Sequence, residues 1–229
     1  MDSSAKAFIS KEHYYNAMMQ IGDSILLGAE FPQPKIVQYT HHLFLLSPHD
    51  DTDFNKIKNL DWSIPAIISG SFLIHTQVNK SIHYDDIDIY FKSEEDARNW
   101  AARNNITNIW SAPNNKSFYC SILLSTMVKL NLIFSIDFKD EQDLISRFDI
   151  RACAMAYNPT TNVFTLVDGA ADDCRDKRIV IQANPRSASI WRLLKYVTKG
   201  FKIDRYQTAL LNEILKLQPN RELNPSSYS

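Results

Sequence analysis

Glycine is scarce in this chain, with five in 229 residues, and cysteine scarcer still, with three. Cys120, Cys153 and Cys174 stand far apart and form no Cys-x-x-Cys pair, which argues against a disulfide framework or a zinc ribbon and suits a reducing compartment. Net charge is also lacking: 25 Lys and Arg against 26 Asp and Glu leave −1, so the whole molecule is not built as a polycation for nucleic acid. No window approaches the roughly 20 apolar residues of a membrane span, and Met1-Asp2-Ser3-Ser4 opens neither a basic n-region nor an apolar stretch. These absences together read as a cytoplasmic protein with no membrane partner. Glycines this few are expected where the backbone needs positive φ or close approach.

What is present is ordinary globular material, 45% hydrophobic and 22% charged, enough for one sizeable core with a smaller appendage. Three parts are expected: an N-terminal helical layer over 1–60, a mixed-sheet domain over 61–168, and a C-terminal helical region with a frayed tail over 169–229. The first rests on Ile9, Tyr14, Met18, Ile21, Ile25 and Leu26 at helical spacing and on the apolar run from Ile36 to Leu46. Within the second, strands are expected at Ile64 to Ile68, Ile87 to Phe91, Ile106 to Trp110, Phe118 to Leu124, Met127 to Phe134 and Val163 to Val167. Ser93, followed by Glu94, Glu95 and Asp96, marks a helix start. The segment Phe148 to Tyr157 reads equally as strand or helix. From Arg175 to Arg205 nine basic residues face two acids, a local excess suited to phosphates, although helices also commonly show charged faces to water.

The chemistry sits in two short stretches. Ile67-Ile68-Ser69-Gly70-Ser71-Phe72 is a buried strand running into a tight turn, and Asp86-Ile87-Asp88 opens a second strand. Residues two apart on a strand share a face, so the two carboxylates project together, roughly 6–7 Å apart at Cα. Paired hard oxygens suit Mg²⁺, which completes its shell with water and substrate phosphates. Gly70 and Ser71 open a helix whose free N–H groups suit a triphosphate. The bland alternative is a solvated acidic strand beside an ordinary turn.

On those residues the chain resembles the DNA polymerase beta-like nucleotidyltransferase superfamily, whose pattern is an apolar strand, Gly-Ser, about a dozen residues, then Asp-x-Asp. A second stretch, Phe148 to Tyr157, Val167-Asp168-Gly169, Asp173 to Ile179, Pro185, and Trp191 to Lys195 through Gly200-Phe201, is similar to the head and neck of CCA-adding tRNA nucleotidyltransferases. The resemblance implies an α+β nucleotidyltransferase fold, a mixed sheet flanked by helices. It implies Mg²⁺-dependent transfer of a nucleoside monophosphate from an NTP to an acceptor hydroxyl, with one or two Mg²⁺ ions held by Asp86 and Asp88, the catalytic pair. It also makes Gly70, Ser71, Arg192 and Lys195 nucleotide-binding candidates, with Asp149 for base or phosphate contact. RNA is the favoured acceptor, through the basic 175–205 segment.

Two departures matter. Where the superfamily commonly carries a third carboxylate, this chain has Asn131, so either Asp137 or Asp149 substitutes as a catalytic acid, or two carboxylates suffice, or catalysis is impaired. The second reading is therefore a catalytically silent nucleotide-sensing, regulatory or RNA-binding module. Only about 25 residues follow Ile203, so the long RNA-binding body of CCA-adding enzymes has no counterpart. His41, His42 and His49 with Asp50, Asp51 and Asp53 match no zinc spacing and read as solvated loop. The four tryptophans read as core or half-buried.

Overall fold

A computed structural model of the chain describes residues 35–40, 52–111, 117–124, 126–181 and 190–203. In chain order come β1 (Ile36–Thr40), α1 (Thr52–Lys58), β2 (Ile67–Ser69), α2 (Ser71–Gln77), β3 (Asp86–Tyr90), α3 (Glu94–Arg103), β4 (Trp110–Ser111), β5 (Ser117–Leu123) and β6 (Met127–Ile133). They are followed by α4 (Glu141–Ser146), a 3₁₀ turn (Arg151–Cys153), β7 (Met155–Asn158), β8 (Val163–Val167), α5 (Ala170–Asp176), β9 (Arg178–Ile179), α6 (Ile190–Thr198) and β10 (Lys202–Ile203).

Eight strands form one mixed sheet in the order β1-β8-β7-β2-β3-β6-β5-β4, and β9 with β10 makes a small parallel pair. Within the large sheet β3 and β6 run parallel, with α3, β4 and β5 between them in sequence, and the other neighbours are antiparallel. The local signals are those expected. Ser93 Oγ accepts from Asp96 N at 3.1 Å to cap α3, and Asp140 caps α4 by accepting from Asp143 N at 2.9 Å. Ile87 and Ile89 of β3, Leu130 and Leu132 of β6 and Phe118 and Cys120 of β5 are buried on one face, where Trp100 of α3 and Trp62 stack 5.0 Å apart.

Three expectations change. Ile36–Thr40, read as part of the helical layer, is a strand paired with β8 from Ile36↔Val167 to Thr40↔Val163. Its Ile, Val, Tyr and Thr favour a pleated surface, and so short an apolar run cannot declare its period. Ile106–Ile109 makes no ladder, because Asn105 turns the chain at φ 55° and only Trp110 and Ser111 reach β5. Phe148–Tyr157 is both things at once, a 3₁₀ turn and then a strand. The helical periodicity before residue 35, the histidines at 41, 42 and 49, and the expected frayed tail lie outside the described residues. No helix among the described residues is long and apolar enough to cross a membrane.

Candidate active site

Strand β3 alternates as its composition requires: Ile87 and Ile89 are fully buried, and Asp86 and Asp88 emerge together, partly exposed, on the other face. The glycine-serine turn comes to meet them. Ser69 pairs with Asp88 across β2 and β3, and Gly70 at φ 88° then swings the chain into α2. A Cβ added at Gly70 would lie 2.7 Å from Asp88 Oδ2, so only glycine satisfies both the dihedral and the approach. Ser71 is buried at the first residue of α2.

Strand β6 supplies a partner for each carboxylate. Lys129 stands in register with Asp86, its Nζ 3.6 Å from Oδ2, and Asn131 stands in register with Asp88, donating from Nδ2 to Oδ1 at 2.9 Å. Asn131 thus occupies the position expected of a third acid, and its own Oδ1 is buried without a hydrogen-bond partner. Neither substitute acid stands on this ladder. Asp137 is exposed beyond the end of β6. Asp149 has a side chain only 2% exposed, with a guanidinium nitrogen of Arg192 3.3 Å from Oδ1 and no hydrogen bond to either oxygen.

Helix α6 completes the surroundings. Lys195 and Lys199, four residues apart, both reach Asp85, at 3.9 and 3.8 Å, and Lys199 also donates to the His83 carbonyl at 2.6 Å. Burial pushes the Asp88 carboxyl up to about 6, with the Asp86 charge adding to it, while the Asn131 hydrogen bond and the charges of Arg192 and Lys195 hold it down. Arg192 thus pairs with Asp149 while its charge also acts on Asp88. Elsewhere in the basic run Arg175 pairs with Asp172, and Arg178 with Asp173 and Asp176. Arg186 and Arg205 lie outside the described residues. Burial also pushes Cys153 up to about 11 and Cys120 to about 12, which leaves these thiols protonated and poor nucleophiles.

The raised Asp88 value makes a stability prediction. Between about pH 4 and pH 6 the unfolded chain gives up this proton while the folded chain keeps it, so stability falls as pH rises through that window. Asp88→Asn, which keeps the acceptor for Asn131, is expected to raise metal-free stability at pH 7.5 by about 1–3 kcal/mol. The gain should fade as pH falls towards 4, as thermal melts of the two proteins at matched pH would register.

The donor set fits a hard divalent ion. Two oxygen-bearing acids share a face, the glycine leaves space against Asp88, and the Asn131 Oδ1 is an unused oxygen beside them. Among the described residues no group of three or more His, Cys, Asp or Glu could enclose an ion, so water and substrate oxygens would supply the rest. Sequence reasoning missed Lys129, Lys199 and Asp85. The Lys129-x-Asn131 spacing, which copies Asp86-x-Asp88, was the available signal.

A family model described as Gabija anti-defense 2 family protein matches residues 37–177, more than half of the chain. The chain belongs to that family. The Gabija anti-defense 2 match takes in Gly70, Asp86, Asp88, Asn131 and Asp149 and stops before Arg192 and Lys195. A curated relative, "Gabija anti-defense 2" of Bacillus phage SPbetaL7, is 26% identical over 144 residues, which is 61% of this chain and 34% of that protein. The chain thus matches about a third of the curated relative's length. Among solved structures, a Thermotoga maritima CCA-adding enzyme complexed with tRNA_CCA aligns with TM-score 0.57 and 16% identity, over 79% of this chain and 46% of that one. A CCA-adding enzyme in complex with CTP aligns with TM-score 0.57 and 15% identity, over 79% and 47%. At such identities the likeness establishes the fold, an α+β nucleotidyltransferase fold with a mixed sheet flanked by helices.

Proposed function

We propose that this chain is a Mg²⁺-dependent nucleotidyltransferase, moving a nucleoside monophosphate from an NTP to an acceptor hydroxyl with release of pyrophosphate, and that it serves the anti-defence role for which its family is named. One observation carries the reading: Asp86 and Asp88 leave β3 on one face, and Gly70 comes so close to Asp88 that a single added carbon would strike it. Asp86 and Asp88 would hold one or two Mg²⁺ ions, which would neutralise triphosphate charge and lower the pKa of the acceptor hydroxyl. The Gly70-Ser71 turn takes the β and γ phosphates through its N–H groups. Arg192 and Lys195 offset triphosphate charge, and Asp149 acts by fixing the guanidinium of Arg192. The acceptor oxygen bonds to the α-phosphorus as the bond to the bridging oxygen breaks, and pyrophosphate leaves. Most of the rate comes from position and charge.

The silent-module reading has its own support in β6. Asn131 cannot take a proton as a base, and Lys129 sets an ammonium beside Asp86, a substitute cation at the metal position. It predicts triphosphate binding without turnover.

The test supplies each α-labelled triphosphate with Mg²⁺ and a panel of RNA, DNA, protein and small-molecule acceptors. Label joined to an acceptor, with pyrophosphate released and the product lost on chelation, is expected. A triphosphate-induced rise in melting temperature with no product from any acceptor would support the silent module instead. No rise and no product would remove both.

A further inference from the structure

The row of side chains through Asp88 continues past Asn131. In register across adjacent strands stand Asp88 of β3, Asn131 of β6, Tyr119 of β5 and Trp110 of β4. Register partners point to the same face, and strands lie about 4.8 Å apart, so Tyr119 is about 10 Å and Trp110 about 14 Å along the row from Asp88. Trp110 is 46% exposed and its ring centroid is 6.3 Å from that of Tyr119. Two-residue steps along β5 and β6 bring Leu123 and Met127, cross-strand partners exposed by 68% and 66%, onto this same face. The large hydrophobic side chains left exposed among the described residues therefore share the face that carries the carboxylates. Scattered singly they would need no explanation; gathered on one face beside a site they do. Lys129 joins the two halves, its Nζ 3.6 Å from Asp86 and 4.6 Å from the Tyr119 ring centroid.

The direction of the row is informative. On one side of the carboxylates lie the Gly70 turn and α6 with Arg192 and Lys195, the triphosphate side in the proposed function. An acceptor has to approach along the other side, over β6, β5 and β4. That side offers flat aromatic rings and the Lys129 ammonium, which suit bases and a phosphate chain: every base has a π-face, so stacking on such rings tolerates any sequence.

We infer that this face is a platform for the single-stranded 3′ end of a polynucleotide acceptor, whose bases stack on Trp110 and against Tyr119 while Lys129 meets the backbone and the terminal hydroxyl arrives at Asp86 and Asp88. The inference rests on the proposed nucleotidyl transfer and names its acceptor class. It also moves the polynucleotide from the basic 175–205 segment, where Arg175, Arg178, Arg192, Lys195 and Lys199 are ion-paired, to the sheet.

The experiment measures anisotropy of end-labelled single-stranded RNA and DNA oligonucleotides, and of a blunt duplex, with the full chain. Single strands are expected to bind more tightly than the duplex. Trp110→Ala should weaken them about tenfold or more, and Trp110→Phe should retain most of the affinity. Leu123→Ser/Met127→Ser, at two well-exposed positions, tests the same face independently and should cost about threefold or more. The triphosphate-induced rise in melting temperature should persist in all three variants. If that rise persists and the variants bind oligonucleotides like the parent, the inference is overturned while triphosphate binding stands and label transfer to a non-polynucleotide acceptor still tests the proposed function. If the parent shows no rise at all, the underlying reading fails. Variants that lose a purified protein partner and keep oligonucleotides would make this a protein-docking face and likewise overturn the inference.

Discussion

Asp86→Ala is expected to lose nucleotide transfer by at least about a thousandfold, equivalent to about 4 kcal/mol of transition-state stabilisation. The loss follows from the scarcity of ligands: among the described residues no third acid joins the pair, so removing one takes away half of the anionic donor set. The fold should survive. Asp86 sits at the partly exposed start of β3, and its described partner is Lys129 at 3.6 Å, itself partly exposed, a pair worth little to stability. The Asp88 carboxyl should also fall back from about 6, because one of the two causes raising it has gone. Initial rates of label transfer, set beside melting temperatures, decide the matter; a folded Asp86→Ala protein within tenfold of the parent rate would remove Asp86 from the metal site.

The largest stability effect is expected away from the chemistry, at Arg151. Its guanidinium donates to both oxygens of Asp173, from Nε at 2.6 Å and from Nη2 at 3.0 Å, and the Asp173 side chain is 0% exposed. This pair fastens the 3₁₀ turn before β7 to helix α5, and Gly169 leaves room for it: a Cβ there would lie 3.1 Å from the Arg151 Cζ. Arg151→Met strands a buried carboxylate with only the longer 3.3 Å contact from Arg178, which should cost about 3 kcal/mol or more. Adding Asp173→Leu should recover much of that, because the penalty is chiefly the unpaired charge. Denaturant midpoints of the two variants, at unchanged slope, would measure it. A single variant within about 1 kcal/mol of the parent would show that Arg178 suffices.

The two effects contrast instructively. The partners at the functional pair are partly exposed and leave two like charges side by side, which costs stability; the structural pair is short and bidentate, with its carboxylate closed from water. A site kept ready for a cation and a polyanion has to leave its own charges incompletely answered.

How much of this was readable from residues alone follows the range of the interactions concerned. Asp86 and Asp88 share a face because a strand alternates, Gly70 needs its freedom because a strand must turn sharply into a helix, and Ser93 caps α3 because its hydroxyl lies three residues from Asp96 N. Each is settled within one or two turns of chain, so periodicity, capping and glycine scarcity declared them in advance. Ile36–Thr40 shows the opposite case: its five residues suit a strand, but only a partner 123 or more positions away, in β8, makes them one. Lys129 and Asn131 meet the two aspartates solely through the parallel register of β3 with β6, and Arg192 meets Asp149 solely through the docking of α6. Register and docking are set by packing of the whole core, which no local window contains. The sequence therefore determined which chemistry the chain carries; the tertiary structure alone decided which cations and amides stand around it, because those neighbours are chosen by long-range burial and not by spacing along the chain.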